Sequence, residues 1–179
     1  MNVSASRFAI LLELDDVASA AVRQITQRIA TVAPESASAV ATVAPHVTLA
    51  ACRNLDVERF RPLLAELAAR TPVVATTLAS LGVFPGVIFL APAIAPALVE
   101  LQLGTITRLQ DLGAEVEPYW LRGQWVPHCT VAMGVPRELM STAMFRAYEA
   151  LHPIPASLTR LSAVEIESPR LLYAFGLSR

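Results

Sequence analysis

Lysine is absent from this chain of 179 residues, and charge of either sign is sparse. All 14 basic residues are arginine, and 15 acidic residues balance them to a formal net charge of −1. Proteins that coat long duplex nucleic acids carry a large basic excess, because neutralising phosphates supplies their affinity. The composition therefore argues against that class and leaves open a small anionic ligand or the end of a nucleic acid.

Cysteines and uninterrupted apolar runs are also few. Cys52 and Cys129 form no CxxC motif, and they are predicted to be two free thiols packed inside the protein. The longest apolar stretch, residues 83–99, contains three prolines and a glycine, which disfavour a membrane helix. The apolar run Phe8–Leu12 is too short for a signal peptide. We therefore expect a cytoplasmic protein that does not cross a membrane.

Hydrophobic residues make up 54% of the chain and recur with helix and strand periods, which indicates a folded globular protein. The pattern predicts strands over Arg7–Leu14, Val43–Ala51, Val73–Val83, Val87–Ala91, Val126–Met133, Ser157–Glu167 and Leu171–Leu177. It predicts a helix that Asp15 or Asp16 opens and that ends before Pro34, a loop at Glu35–Ser38, and helices over Asp56–Arg70, Pro92–Leu112 and Pro136–Leu151. Hairpin-like neighbours favour an α+β fold with a mainly antiparallel sheet and flanking helices.

Two heptapeptides resemble each other across the chain. Residues 45–51 read Pro-His-Val-Thr-Leu-Ala-Ala, and residues 127–133 read Pro-His-Cys-Thr-Val-Ala-Met. Their histidines lie 82 positions apart, near half the chain length, which indicates an internal duplication. We expect one domain over residues 1–179, built of two pseudo-symmetric lobes around a central cleft, each lobe supplying one HxT motif.

Strand geometry gives these motifs a chemical meaning. Side chains two positions apart share one face of a strand, so His46 lies beside Thr48 and His128 beside Thr130. One neutral imidazole can accept a proton while a second, protonated imidazole donates one, because histidine titrates near neutral pH. Threonine hydroxyls can bind phosphate oxygens where negative charge grows. Neither motif contains a carboxylate, so we expect no metal ion.

The paired motifs resemble the HxTx motifs of the 2H phosphoesterase superfamily, in particular its 2′-5′ RNA ligase-like and cyclic phosphodiesterase branch. Leu81–Gly86 between the motifs also fits this resemblance. The resemblance implies a bilobal α+β fold and cofactor-free hydrolysis, or reversible formation, of 2′,3′-cyclic or 2′-5′ phosphodiester bonds. The two histidines and two threonines would be its catalytic residues. The alternatives are a non-catalytic module that binds nucleotides or RNA ends, and a metal-dependent hydrolase with the histidines as ligands.

An aromatic and basic cluster precedes the second motif. Tyr119, Arg122 and Trp125 are candidate substrate-binding residues, because aromatic planes stack on bases and arginine binds phosphate. Anchoring in the core by Trp120 or Trp125 is the alternative. The segment Ser38–Ala44 before the first motif has no basic or aromatic residue, which favours a small nucleotide or a short RNA end over a polynucleotide. We expect a monomer.

Overall fold

The computed structural model describes residues 7–168 and 170–178. Within them the chain forms eight strands: β1 (Arg7–Leu14), β2 (His46–Arg53), β3 (Val74–Phe84), β4 (Val87–Pro92), β5 (Glu115–Val116), β6 (Cys129–Met133), β7 (Ile154–Glu165) and β8 (Arg170–Gly176). The same residues form five α-helices: α1 (Asp16–Ala30), α2 (Pro34–Ala41), α3 (Val57–Arg70), α4 (Pro96–Asp111) and α5 (Met140–Ala150). Two short 3₁₀ turns cover Pro118–Trp120 and Arg137–Leu139.

The strands form one antiparallel sheet in the order β5-β2-β1-β7-β3-β4-β6, with β8 also paired to β7. The long strand β7 changes neighbours along one edge: residues 154–158 pair with β3, and residues 160–165 pair with β8. Two arms of the sheet therefore extend from β7, one through β1 to β2 and the other through β3 and β4 to β6. The predicted α+β class with an antiparallel sheet and flanking helices is confirmed.

The first helix illustrates how the sequence directs these elements. Val22, Ile25 and Ile29 recur on one face of α1 and are buried in the core. Asp15 caps the helix, since one carboxylate oxygen accepts from the Ala18 N–H at 2.9 Å. Its other oxygen accepts from the backbone N–H of Ser157 at 2.6 Å, which fixes the start of α1 to β7.

Several sequence-based boundaries were wrong, and two of them have identifiable reasons. The predicted loop Glu35–Ser38 lies inside α2, because Pro34 suits a first helical position and Ser36 is buried against the fold. The helix predicted from Pro92 begins at Pro96, since Pro92 is the last residue of β4 and pairs with Leu78. The strands predicted from Val43, Val126 and Ser157 begin at His46, Cys129 and Ile154. The helix predicted from Pro136 begins at Met140, after a 3₁₀ turn.

The structure also shows the state of the two cysteines and the character of the helices. Cys52 and Cys129 are both free and buried, as predicted. Burial raises the pKa of each thiol to about 12. Among the helices in the described part of the chain, none combines the length and apolar character needed to cross a membrane.

Candidate active site

The two motif strands contribute to the same cavity of about 710 Å³, which His46, Thr48, His128 and Thr130 all line. The intervening residues of both strands point the other way and are buried in the core: Val47, Leu49, Cys129 and Val131. The alternation expected from strand geometry therefore places two imidazoles and two hydroxyls on one concave face of the sheet.

Both histidine rings are held in the same local arrangement. His46 Nδ1 lies 2.7 Å from the carbonyl oxygen of Ala44, and His128 Nδ1 lies 2.7 Å from that of Val126. A proline separates ring and carbonyl in each case, and the residue before a proline is restricted to extended backbone. Because a carbonyl oxygen can only accept, Nδ1 carries the proton in each neutral ring. Nε2 is then the atom left for proton exchange with a substrate.

Side-chain hydrogen bonds connect the segment before the second motif to the strand of the first motif. Trp125 Nε1 donates to the carbonyl oxygen of Thr48 at 3.0 Å. The buried amide of Gln102 donates to the carbonyl oxygens of Leu49, at 3.2 Å, and Trp120, at 2.7 Å. These bonds satisfy two carbonyls of β2 and one of the segment before the second motif. They connect the two motifs, although four strands separate β2 from β6 in the strand order.

Aromatic rings surround His128. Phe84 meets the imidazole edge-on with ring centroids 5.1 Å apart, and the Phe89 centroid lies at 5.2 Å. Trp120 stacks nearly parallel to it, at 6.2 Å and 22°. Gly82 makes room for this cluster, since a Cβ there would lie 2.3 Å from the Phe89 ring. Gly82, which lies in β3 as the predicted strand Val73–Val83 implies, therefore has a packing role beneath the second motif.

Two ion pairs line the cavity beside the first motif. Glu13 is buried, lies opposite His46 in the β1–β2 register, and accepts from Arg160 Nε at 2.8 Å. Glu165 accepts from Arg170 Nη2 at 3.3 Å. Sequence reasoning missed Glu13 as a site residue, because it closes an apolar strand and resembles an ordinary strand end.

Burial lowers the pKa of both motif histidines below the ordinary value. For His46, the Ala44 carbonyl and the Glu13 carboxylate oppose this effect of burial, and a charge on His128 adds to it. For His128, the Val126 carbonyl opposes the effect of burial. The two rings therefore have different electrostatic surroundings, although their local geometry is the same.

The predicted substrate-binding residues lie in different places. Tyr119 is exposed, whereas Arg122 and Trp125 line a second, smaller pocket of about 220 Å³. Trp125 has an anchoring hydrogen bond, in line with the alternative considered from the sequence. Trp120 is the residue of this cluster that lines the main cavity. That Tyr119, Arg122 and Trp125 contact a substrate stays a prediction.

In the described residues, no three histidine, cysteine, aspartate or glutamate side chains are grouped so that they could hold a metal ion. What the site does hold is a pair of imidazoles with free Nε2 atoms, each accompanied by a threonine hydroxyl. Such a site on an antiparallel α+β scaffold defines the class of two-histidine phosphoesterases.

Comparisons with known proteins agree with that class. The sequence model of the 2′-5′ RNA ligase superfamily matches residues 14–170, so this chain belongs to that superfamily of 2H phosphoesterases. A comparison with curated protein sequences gives no match.

Solved structures of three proteins share the fold. TT0787 of Thermus thermophilus has 18% identity and a TM-score of 0.64, with 96% of this chain and 97% of that one covered. LigT of E. coli in complex with 3′-AMP has 20% identity and a TM-score of 0.64, with 98% and 100% covered. A crystal structure described as a phosphoesterase has 18% identity and a TM-score of 0.58, with 97% and 99% covered. Family and fold together support an enzyme of the 2H phosphoesterase type.

Proposed function

We propose that this protein is a metal-independent phosphoesterase that hydrolyses, or reversibly forms, 2′,3′-cyclic or 2′-5′ phosphodiester bonds of nucleotides or short RNA ends. The observation that carries the proposal is the pair of HxT motifs on one cavity, each ring fixed through Nδ1. LigT has been solved with 3′-AMP, with NADP⁺ and with ATP, which supports a small nucleotide as the ligand class.

The proposed reaction uses the two imidazoles as an acid–base pair. In hydrolysis of a cyclic phosphate, one neutral Nε2 takes a proton from water as the water oxygen bonds to phosphorus. The other, protonated Nε2 gives its proton to the ribose oxygen as the P–O bond breaks. The hydroxyls of Thr48 and Thr130 donate to the non-bridging oxygens, whose negative charge grows in the transition state. Proton exchange with solvent restores both rings after product release.

The charge of the cavity matches such a substrate. Among the described residues that line it, three arginines and two glutamates are charged: Arg23, Arg160, Arg170, Glu13 and Glu165. Two of these arginines are paired with the glutamates, so one surplus positive charge remains. A phosphodiester carries one negative charge, and local compensation of this kind needs no basic surface. This supports a small substrate and explains how a chain of net charge −1 could bind an anion.

The direct test is turnover of 2′,3′-cyclic nucleotides in the presence of EDTA, followed by chromatography of the products. We expect hydrolysis by the wild type and a loss in kcat of about 10²- to 10⁴-fold in His46→Ala and in His128→Ala. His152→Ala is the matched control, because that histidine is exposed and lies outside both motifs.

Each of the other outcomes would indicate a different function or mechanism. Nucleotide binding without turnover would identify a binding module on the same fold. Activity abolished by EDTA and restored by a divalent metal would identify a metal-dependent hydrolase. Full activity in either motif variant would refute acid–base catalysis by the histidine pair. We also propose a cytoplasmic monomer of two lobes, for which the expected observation is a single species of 19.2 kDa on sedimentation.

A further inference from the structure

A buried carboxylate lies directly beside one of the two imidazoles. Glu13 is only 6% exposed and is the cross-strand partner of His46. Directly opposed residues on one face of an antiparallel pair have Cβ atoms about 4.5–5.5 Å apart. In a cavity suited to an anion, a carboxylate at this position opposes substrate binding unless a nearby cation offsets its charge.

Arg160 fixes the position of that carboxylate. It lies opposite Glu13 on β7, and its Nε and Nη2 both donate to the same oxygen, Oε2. A charge-assisted pair of this kind holds a buried carboxylate in one orientation. Three neighbouring strands therefore carry a row of Arg160, Glu13 and His46. Both arginine bonds go to one oxygen, so Oε1 of Glu13 is left without a bond to Arg160.

His128 has no such partner among the described residues. The rings in contact with it are those of Phe84, Phe89 and Trp120, which are uncharged. The charged and titratable groups that share the cavity with His46 come from every wall: Glu13 on β1, Arg160 and Glu165 on β7, Arg170 on β8, Arg23 on α1, and His128 itself. Of the two carboxylates in this set, Glu13 is the one opposite an imidazole.

We propose that Glu13, oriented by Arg160, is a positioning residue that keeps the proton on His46, so that His46 acts as the acid and His128 as the base. The inference rests on the proposed function for its catalytic meaning. A positive charge on His128 disfavours a charge on His46, so the protonation of one ring affects that of the other. Burial disfavours the cation at both rings; at His46 the Ala44 carbonyl and the Glu13 carboxylate oppose this effect, and Glu13 is the charged group of the two.

With His128 as the base and His46 as the acid, each proton in the hydrolysis has a donor and an acceptor. Water adds to phosphorus through its oxygen and loses one proton to Nε2 of His128. The P–O bond to the ribose breaks, and the departing oxygen receives the proton from Nε2 of His46. Glu13 gains and loses nothing; its charge lowers the free energy of the protonated His46 before that transfer.

Nuclear magnetic resonance titration of the histidine rings tests the inference without any need for turnover. The chain has three histidines, and exposed His152 provides an internal reference. Glu13→Gln should lower the titration midpoint of His46 by about one pH unit, the scale expected for losing an opposite charge nearby. Arg160→Gln should raise it, because the carboxylate loses its compensating cation. Glu165→Gln, the matched control on the same cavity, should leave it unchanged.

The two variants should shift the His46 midpoint in opposite directions, and this separates an electrostatic role of Glu13 from a structural one. If Glu13→Gln and Arg160→Gln move the His46 midpoint in the same direction, or if Glu13→Gln does not move it, the inference is overturned. Glu13→Asp keeps the charge and should restore a midpoint near that of the wild type, which tests the case in which the glutamine variant folds poorly.

The pH–rate profile then connects the titration to catalysis. In Glu13→Gln the basic limb, which reports loss of the acid's proton, should move to lower pH, while the acidic limb stays in place. A basic limb that stays in place would contradict His46 as the acid. A shifted NMR midpoint in a protein that turns over no cyclic phosphate would instead refute the proposed function and leave the electrostatic pairing intact.

Discussion

Gly82→Ala is a small change that should disturb the second motif through packing alone. Gly82 lies on β3 opposite Phe89, and an added Cβ would stand 2.3 Å from Cζ and 2.4 Å from Cε2 of that ring. Carbon atoms in contact prefer about 3.5–4.0 Å, so the ring must move by more than an ångström. Phe89 is buried and packs on Phe84, at 4.5 Å, and on His128, at 5.2 Å.

The size of the effect follows from that clash. Adding a methyl group to a filled core costs about 1–3 kcal/mol of the free energy of unfolding. In a protein of this length each kcal/mol lowers Tm by about 2–4 °C, so Gly82→Ala should lower Tm by roughly 2–12 °C. Because the displaced ring supports His128, kcat should fall by more than the loss of folded protein alone would explain. A misplacement of a reacting group by about 1 Å can lower the rate by about 100-fold.

Gly104→Ala is the matched control. A Cβ at Gly104, inside α4, would lie 3.4 Å from Arg108 Nη1 and 3.7 Å from Leu67 Cδ1, which leaves room for it. Alanine is favoured over glycine by roughly 0.8–1.0 kcal/mol within a helix, so this variant should raise Tm and leave kcat unchanged. Differential scanning calorimetry and steady-state kinetics on both variants give the comparison. A Gly82→Ala protein as stable and active as the wild type would refute the packing argument.

Three further predictions follow from hydrogen bonding and pKa. Trp125→Phe leaves the Thr48 carbonyl without its donor, which should cost about 1–3 kcal/mol in urea denaturation; no change would show that the bond is dispensable. Cys52 and Cys129, with pKa raised to about 12 by burial, should resist iodoacetamide at pH 8 until the protein is unfolded, as checked by mass spectrometry. Because burial lowers the pKa of both motif histidines, the unfolded chain binds protons first as pH falls below about 6.5. The free energy of unfolding should therefore be smaller at pH 5.5 than at pH 7.5, and replacing both histidines with glutamine should reduce that difference.

Local patterns predicted most of the elements. The helical spacing of Val22, Ile25 and Ile29 identified α1, and strand alternation identified the shared face of each motif. These signals depend on residues a few positions apart, where backbone geometry alone decides which side chains meet. Residues 34–41 form a helix that such periodicity did not reveal, because they are small and mostly polar or alanine, and its buried residues are Ser36 and Ala37.

The surroundings of the histidines could not be predicted in the same way. Glu13 and Arg160 are 147 positions apart, and Trp125 and Thr48 are 77 apart. Their meeting depends on the order of strands in the sheet, which no local period encodes. Gly82 shows the same limit at a shorter range, since its place in a strand could be predicted and its contact with Phe89 could not.

Two equal imidazoles make a poor acid–base pair, because one must give a proton under the conditions in which the other accepts one. The motifs themselves provide no difference: in both, proline precedes the ring, and Nδ1 is 2.7 Å from the carbonyl two residues before. The difference lies outside them, in a carboxylate opposite His46 and in three aromatic rings around His128. A duplicated motif can therefore indicate the type of chemistry, while the division of work between its copies depends on residues contributed by other strands. Substitutions at those residues, rather than within the motifs, are the ones that should change the pH dependence without removing the reacting groups.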